Sequence, residues 1–306
     1  MNLRHLSDVF PETTIKFDEP MANYSYTKTG GPVDALIFPH SVQEIKTIIR
    51  YANREHIPLI ALGNSSNLII RDQGIAGIVL MLTDMEKMAV HGRQLIAEAG
   101  ARIIDASRLA ADHTLSGLEF ACGIPGSIGG AIYMNAGAYG GEVSEVVREV
   151  DVVTLGGQYK TYTLEELNFA YRHSELQETG DIIVRVTFDL ELGDTDAITG
   201  KMDELTFLRE SKQPLELPSC GSVFKRPKGH FTGQLIQEAN LQGYTVGGAQ
   251  VSMKHAGFIV NIGGATATDY IDVIHHVQEV IKDKNDVTLE TEVRIIGRED
   301  NIETNK

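Results

Sequence analysis

The sequence predicts an α+β chain of two domains, and three observations carry that prediction. Its 306 residues, at roughly 150 per domain, allow two cores and a cleft between them. Apolar runs of strand type alternate with segments of helical spacing along most of the chain. A long helical stretch ends at Gln213-Pro214, a natural boundary, and a smaller unit of about 85 residues follows. With 42% hydrophobic and 23% charged residues and only 2 cysteines, disordered, collagen-like and disulfide-stapled classes are excluded.

The first elements read as a βαβ-like unit. Val33 to Phe38 is a strand, and Ser41-x-x-Glu44 is a capping box opening a helix through Ile45, Ile48, Ile49 and Ala52. Pro58 to Leu62 is the next strand, and it runs through Gly63-Asn64-Ser65-Ser66-Asn67 into another apolar strand, Leu68 to Ile70. Rossmann and P-loop designs both deliver phosphate to a helix N-terminus. A turn between two strands fits neither, and the chain has no G-x-G-x-x-G and no Gly-Lys-Ser/Thr. Residues 63–67 are therefore either a nest of N–H groups for an anion or an ordinary tight turn.

Strands near Gly77 to Leu82 and Gln94 to Ala99 and a helix near Ile104 to His113 lead to a segment with 8 glycines in the 25 residues from Gly117 to Gly141. Such density means close backbone approach or positive φ angles. The interleaved Ile124, Ile128, Ile132, Tyr133 and Met134 do not suit a polar linker. The segment suits a flat, phosphate-bearing cofactor, with a linker as the alternative. Leu164 to Phe169 reads as helix-like, Gly180 to Gly193 as a half-buried strand of period two, and Asp194 to Lys212 as a helix. Helices near Thr232 to Asn240 and Thr268 to Lys282, with strands near His255 to Asn261 and Val287 to Ile296, complete the second unit.

A net charge of −15 makes nucleic-acid binding by bulk electrostatics unfavourable, so any anionic ligand needs local donors. The first thirty residues contain no apolar signal region, which makes the cytoplasm the expected compartment. Residues Phe120 to Gly141 carry no charge, but their seven glycines and Pro125 make a poor membrane helix. Cys122 and Cys220, far apart, read as two buried free thiols. His275 and His276 diverge on a helix, one inward and one solvated, and no metal site is expected.

Three constellations could carry chemistry. Tyr171-Arg172-His173-Ser174 offers a guanidinium fork for a carboxylate, or else a surface arginine. Pro218 to Pro227 crowds Ser219, Ser222, Lys225 and Arg226 together, as an anion site or a solvated basic turn. In Glu290-Thr291-Glu292-Val293-Arg294, alternation puts Glu290, Glu292 and Arg294 on one face opposite Leu289 and Val293. That face is a working site or an exposed polar sheet surface.

In this order the motifs resemble the UDP-N-acetylenolpyruvoylglucosamine reductase family, from about Asn23 to Gly297. Gly123-Ile124-Pro125-Gly126-Ser127-Ile128-Gly129-Gly130-Ala131 and Met134-Asn135-Ala136-Gly137-Ala138-Tyr139-Gly140 look like its flavin-binding segment. Gly221-Ser222-Val223-Phe224-Lys225-Arg226-Pro227 and Glu290 to Arg294 look like its serine and glutamate motifs. The resemblance implies a two-part FAD-binding domain of the vanillyl-alcohol-oxidase (PCMH) type over 1–195, split near residue 80. A connecting helix at 196–213, an α+β substrate domain at 214–297 and a tail at 298–306 would follow. The chain looks like the compact second type of the enzyme.

The implied activity is reduction of the enolpyruvyl ether of UDP-N-acetylglucosamine to UDP-N-acetylmuramate, with noncovalent FAD and with NADPH as reductant. The implied partners are the UDP-sugar and NADPH, with no nucleic acid, membrane or obligate protein partner. Carried over as catalytic are Arg172, holding the carboxylate side of the developing enolate, and Ser222, the proton donor. The third is Glu292, the partner of Arg172, helpful only if protonated or sharing a proton. Cofactor contacts are implied for Gly63, Asn64, Ser65, Ser66, Asn67, Pro125, Gly126, Ser127, Gly129, Gly130, Ala136, Tyr139 and Arg209. Substrate contacts are implied for Tyr171, Lys225 and Arg226. Ser65 departs from the family's usual glycine and carries strain if its φ is positive. The alternatives are another flavin oxidoreductase, such as an oxidase, and a nucleotide-sugar or flavin binding module.

Overall fold

Strand burial follows position in the first sheet. In a computed structural model that describes residues 2–299, the edge strand β1 (Thr14–Pro20) alternates exposed and half-buried residues, whereas β2 (Pro32–Phe38) beside it is buried at every position after Pro32. A strand covered on both faces needs continuous apolar character, and Val33 to Phe38 supplies it apart from Asp34. Helix α1 (Val42–Arg54) starts at Ser41, whose Oγ accepts the Glu44 amide at 3.2 Å. The expected capping box is only half made, because the Glu44 carboxylate accepts the His40 amide (2.8 Å) instead of that of Ser41.

The chain continues through β3 (Leu59–Leu62), β4 (Leu68–Ile70) and β5 (Ile75–Met81). The sheet order is β1-β2-β5-β3, with β5 parallel to both neighbours. The expected βαβ-like unit is thus opened by β5 inserting between β2 and β3. A second sheet is antiparallel throughout and comprises β6 (Met88–His91), β7 (Gln94–Glu98), β8 (Val147–Val153), β9 (Tyr159–Thr163) and β10 (Ile182–Asp189), in the order β9-β8-β10-β7-β6. Between β7 and β8 lie α2 (Ile103–Asp112) and the short α3 (Ile128–Tyr133). One apolar cluster, from Ile45 and Ile78 to Val150, Val184 and Phe188, runs through both sheets.

Sequence periodicity did not find β8 and β9. The reason is visible in Asp151, which is buried in mid-strand and satisfied by Thr161 Oγ1 (2.6 Å) and Arg185 Nε (2.7 Å). A paired carboxylate at a core position erases the apolar pattern. Leu164 to Phe169 is a turn and not helix-like. Residues 120–141 form turns, α3 and a short hairpin, and no helix among the described residues is long and apolar enough to cross a membrane.

Helix α4 (Thr195–Lys212), capped by Asp194, leads to a third sheet. Its strands β11 (Ser219–Ser222), β12 (Thr245–Val246), β13 (Ala249–Val251) and β14 (Phe258–Asn261) run antiparallel in the order β11-β14-β13-β12. With α5 (Thr232–Glu238) and α6 (Ala267–Asn285) it encloses a separate core around Val223, Phe224, Ile259, Tyr270 and Ile274. His255 to Gly257 turn instead of extending β14. Of residues 287–296 only β15 (Arg294–Ile296) is a strand, and it leaves this sheet to pair in parallel with β4, Arg294 opposite Leu68 and Ile296 opposite Ile70. His275 is exposed, and His276 stacks on Tyr244 at 3.9 Å. Cys220 is buried, but Cys122 is only half-buried. Of the tail expected at 298–306, residues 300–306 lie outside the described residues.

Further contacts fasten the third sheet to the first. Asn261 Nδ2 donates to Thr27 O (3.0 Å) inside the protein, and Arg298 Nη2 reaches Asp34 at 2.6 Å. Asp72, just after β4, accepts the first amides of α6, from Ala267 (2.8 Å) and Thr268 (2.9 Å), and the Thr268 hydroxyl (2.7 Å). A carboxylate at a helix start satisfies orphan donors and complements the dipole. Asp72→Ala should therefore lower unfolding stability by about 1–2 kcal/mol. Urea denaturation checks it, and an unchanged midpoint contradicts the assignment.

Candidate active site

The turn between β3 and β4 forms one wall of a cavity of about 680 Å³, within the roughly 300–1,000 Å³ usual for cofactor sites. Gly63 must lack a side chain, since a Cβ there would lie 2.0 Å from Ser127 Oγ. Ser65 has φ 56° and is buried, and its Oγ has no hydrogen-bond partner among the described residues. No hydrogen bond within the described residues uses the amides of Asn64, Ser65, Ser66 or Asn67. Four successive free amides around a left-handed residue form an anion nest. Asn64 Nδ2 donates to Pro125 O (3.1 Å) and joins this turn to the glycine-rich segment, where Ser127 Oγ caps α3 by accepting the Gly130 amide.

On α4, Arg209 lays its aliphatic stem over Gly123, where a Cβ would meet Arg209 Cδ at 2.6 Å. Burial lowers the pKa of its guanidinium, and no carboxylate pairs with it among the described residues. A desolvated cation without a counter-ion, lining the same cavity as the free amides, is a donor that an anionic ligand could use.

Arg172 comes from a tight turn in which Ala170 and His173 exchange both backbone hydrogen bonds (3.1 and 3.0 Å). Its φ of 56° is the left-handed conformation that the third residue of a type II turn requires. Buried Asn135 holds the turn by donating to Ala170 O (3.0 Å), and Gln177 Nε2 donates to Arg172 O (3.0 Å). The side chain donates from Nε to Glu292 Oε1 at 2.7 Å and from Nη2 to Gly137 O at 3.2 Å. The side chains of Arg172 and Glu292 are 19% and 16% exposed, so this pair is largely shielded from solvent.

Glu292 is brought there by backbone. Its amide donates to Val223 O (2.8 Å), the Lys225 amide donates to Glu290 O (2.9 Å), and Phe224 bridges Thr291. The serine and glutamate motifs are therefore zipped side by side. Asn67 Nδ2 donates to Glu292 O (3.2 Å) and the Arg294 amide to Asn67 O (3.2 Å), tying the same segment to the nest. Ser222 ends β11 after Gly221 (φ +78°), where the pairing with β14 shifts register. Such an irregularity re-aims a side chain.

Arg172, Ser222 and Glu292 all line the cavity, as do the sequence-selected cofactor residues other than Tyr139. Tyr139 is exposed at a hairpin tip with φ 54°. Tyr171, Lys225 and Arg226 stand outside the lining. The Arg226 amide donates to the exposed Tyr171 hydroxyl (3.4 Å), its guanidinium lies 3.9 Å from the Phe231 ring centre, and Lys225 pairs with Glu290 at 3.3 Å. Sequence reasoning gave no role to Arg294, Tyr133 or His255, which also line the cavity. Arg294 could have been found, because alternation had placed it on the face of Glu292; its guanidinium donates to the Tyr133 hydroxyl. Among the described residues no His, Cys, Asp and Glu cluster could hold a metal ion.

Residues 213–296 match the model of the C-terminal domain of UDP-N-acetylenolpyruvoylglucosamine reductase, and residues 33–163 match an FAD binding domain. The chain is 58% identical over 299 residues to the UDP-N-acetylenolpyruvoylglucosamine reductase of Levilactobacillus brevis, covering 98% of each chain. It is 57% identical over 294 residues to that of Pediococcus pentosaceus, covering 96% of this chain and 98% of that one. The solved structure of the reductase from Thermus caldophilus superposes with a TM-score of 0.80 at 33% identity, over 93% of this chain and 98% of that one.

The strained, orphaned Ser65 makes a prediction that needs no ligand. Ser65→Gly removes both the left-handed strain and the unsatisfied hydroxyl, so the ligand-free protein should gain about 1–2 kcal/mol. A urea midpoint that stays put or falls contradicts this reading.

Proposed function

The chain belongs to the UDP-N-acetylenolpyruvoylglucosamine reductase family, and from that premise we propose that Arg172, Ser222 and Glu292 are the side chains that work on the enolpyruvyl group. The activity is FAD-dependent reduction in peptidoglycan precursor synthesis. The observation that carries the assignment is the 2.7 Å Arg172–Glu292 pair in a cavity that Ser222 and a nest of free amides share.

The residues present suit FAD. Free amides at 64–67 and the unpaired Arg209 answer a pyrophosphate, and the glycines at 126 and 130 leave space that side chains would fill. Gly63 to Asn67, Pro125 to Ser127, Gly129, Gly130, Ala136 and Arg209 would hold it, with Tyr139 at the rim. Bound there, FAD would supply the redox chemistry, hydride transfer between NADPH and the alkene of the substrate.

The protein's task is to manage the charge this creates beside the substrate carboxylate. Arg172 meets the enolate with a planar fork, and Glu292 fixes the direction of that fork through Nε. Both are held by backbone before substrate arrives, so Arg172 stabilises charge as it forms without reorganising. Ser222 donates the proton to the carbon beside the carboxylate, since a neutral hydroxyl adds no negative charge to the site beforehand. Lys225, Arg226 and Tyr171, outside the cavity lining, would meet the diphosphate of a UDP-sugar. Residues 1–195 would carry the cofactor, 196–213 connect, and 214–297 present the substrate residues. A cytoplasmic location fits substrates of this kind.

The two half-reactions separate the role of Ser222 from that of the cofactor site. In Ser222→Ala, flavin reduction by NADPH should stay nearly intact while reoxidation by the enolpyruvyl substrate slows about 10²–10⁴-fold. Anaerobic stopped-flow absorbance follows each half. Equal slowing of both, or unchanged reoxidation, removes Ser222 as proton donor.

A further inference from the structure

His255 enters the cavity beside Ser222 from the turn that leads into β14. The turn is built by Ser252, whose Oγ accepts the amides of Lys254 (3.1 Å) and His255 (3.2 Å). The ring is fixed twice, by its edge-on contact with Phe258 (centroids 4.8 Å apart, 65°) and by the Gly257 amide, which donates to Nδ1 at 3.1 Å. A nitrogen that accepts an N–H carries no proton, so the neutral ring holds its proton on Nε2. Neither that nitrogen nor the hydroxyl of Ser222 makes a hydrogen bond among the described residues.

Gly257 explains how the two groups meet. A Cβ at that position would lie 3.2 Å from His255 Cε1 and 3.4 Å from Ser222 Oγ. The Nδ1–Cε1 edge of the ring (Nδ1 at 3.3 Å) and the hydroxyl therefore face the same bare α-carbon, and Nε2 is the next ring atom beyond Cε1. Residue 257 pairs through its carbonyl with the Val223 amide (2.9 Å), which keeps the imidazole turn and the serine strand in fixed register.

We propose that His255 is a positioning residue for the protonation step, its Nε2–H donating to Ser222 Oγ through one bridging water. The inference rests on the reading of Ser222 as proton donor. Burial pushes the His255 pKa down, which favours the uncharged ring. A neutral imidazole can donate a hydrogen bond to a developing oxyanion without surrendering its own proton. In the step, the Ser222 O–H bond breaks as the C–H bond forms on the substrate. The serine oxygen, left negative, is held by Nε2–H through that water and recovers a proton from water after product leaves, with hydroxide released to the medium.

The test uses the holoenzyme with His255→Ala and His255→Gln, whose amide can still donate. His255→Ala should slow flavin reoxidation by the enolpyruvyl substrate by about 10²-fold, raise its solvent isotope effect, and leave reduction by NADPH and the KM for substrate unchanged. His255→Gln should recover most of the rate, and in a Ser222→Ala background His255→Ala should have little further effect. A rise in KM alone, equal slowing of both half-reactions, or no slowing overturns the proposal. Crippled Ser222→Ala beside normal His255→Ala overturns this inference only, whereas normal reoxidation in Ser222→Ala overturns the reading beneath it as well. ¹⁵N spectra of histidine-labelled wild-type protein provide a readout independent of turnover: a neutral Nε2–H ring at neutral pH is expected, and an imidazolium or an Nδ1–H ring contradicts it.

Discussion

The ion pair between Arg172 and Glu292 joins residues 120 positions apart, from two separate hydrophobic cores, at 2.7 Å. A shielded pair of this kind adds little by itself to stability, but either partner alone would be a charge without a counter-charge. Each side is accordingly over-determined. Arg172 is held by a left-handed turn, by Asn135 and by Gln177; Glu292 is held by the Val223 carbonyl and by Asn67. The parallel pairing of β15 with β4 turns these local restraints into one geometry, because it registers the glutamate segment against the turn at 63–67. The same strand pair thus positions both Glu292 and the turn with free amides at 64–67.

This arrangement reconciles the overall charge with anionic ligands. A chain of net charge −15 repels diphosphates at long range, and screening at physiological salt confines that repulsion to within about 8 Å of the surface charges. Inside the cavity the donors are the free amides and the guanidinium groups of Arg209, Arg294 and Arg172, the last paired with Glu292, and Asp181 is a second carboxylate in the lining. Removal of water strengthens each donor, as the lowered pKa of Arg209 records from the other side. The donors gathered in the cavity are local and desolvated, which net charge does not report.

Much of this was legible in the sequence, for identifiable reasons. Where one face or both faces of an element are apolar, as in β2 and α1, periodicity located it to within a residue or two; for β10 it ran four residues past Asp189. The polar turn at 63–67 was recognisable because it joins two strands, and Arg172, Ser222 and Glu292, which the fold brings to one cavity, stood out as residue types with a chemistry. The rest was hidden by tertiary pairing. Asp151 disguised β8, and the insertion of β5 between β2 and β3 depends on contacts no local pattern encodes. Leu164 to Phe169 has helical spacing, yet the chain there is a turn. His255 was read as part of a strand, since its role depends on Gly257 and Ser222, which only the fold brings together. The Ser65 hydroxyl is similar: its conflict with φ was foreseeable in sequence, but its lack of a partner was not.

Arg172 and Glu292 act as one unit assembled between segments that pack on two separate cores. A double-mutant cycle with Arg172→Lys and Glu292→Gln, read as the rate of flavin reoxidation by the enolpyruvyl substrate, tests it most directly. The account predicts that each single change is severe and that the double variant is scarcely worse than either, a coupling on the order of 2 kcal/mol or more. Losses that simply multiply would show two independent residues and contradict it.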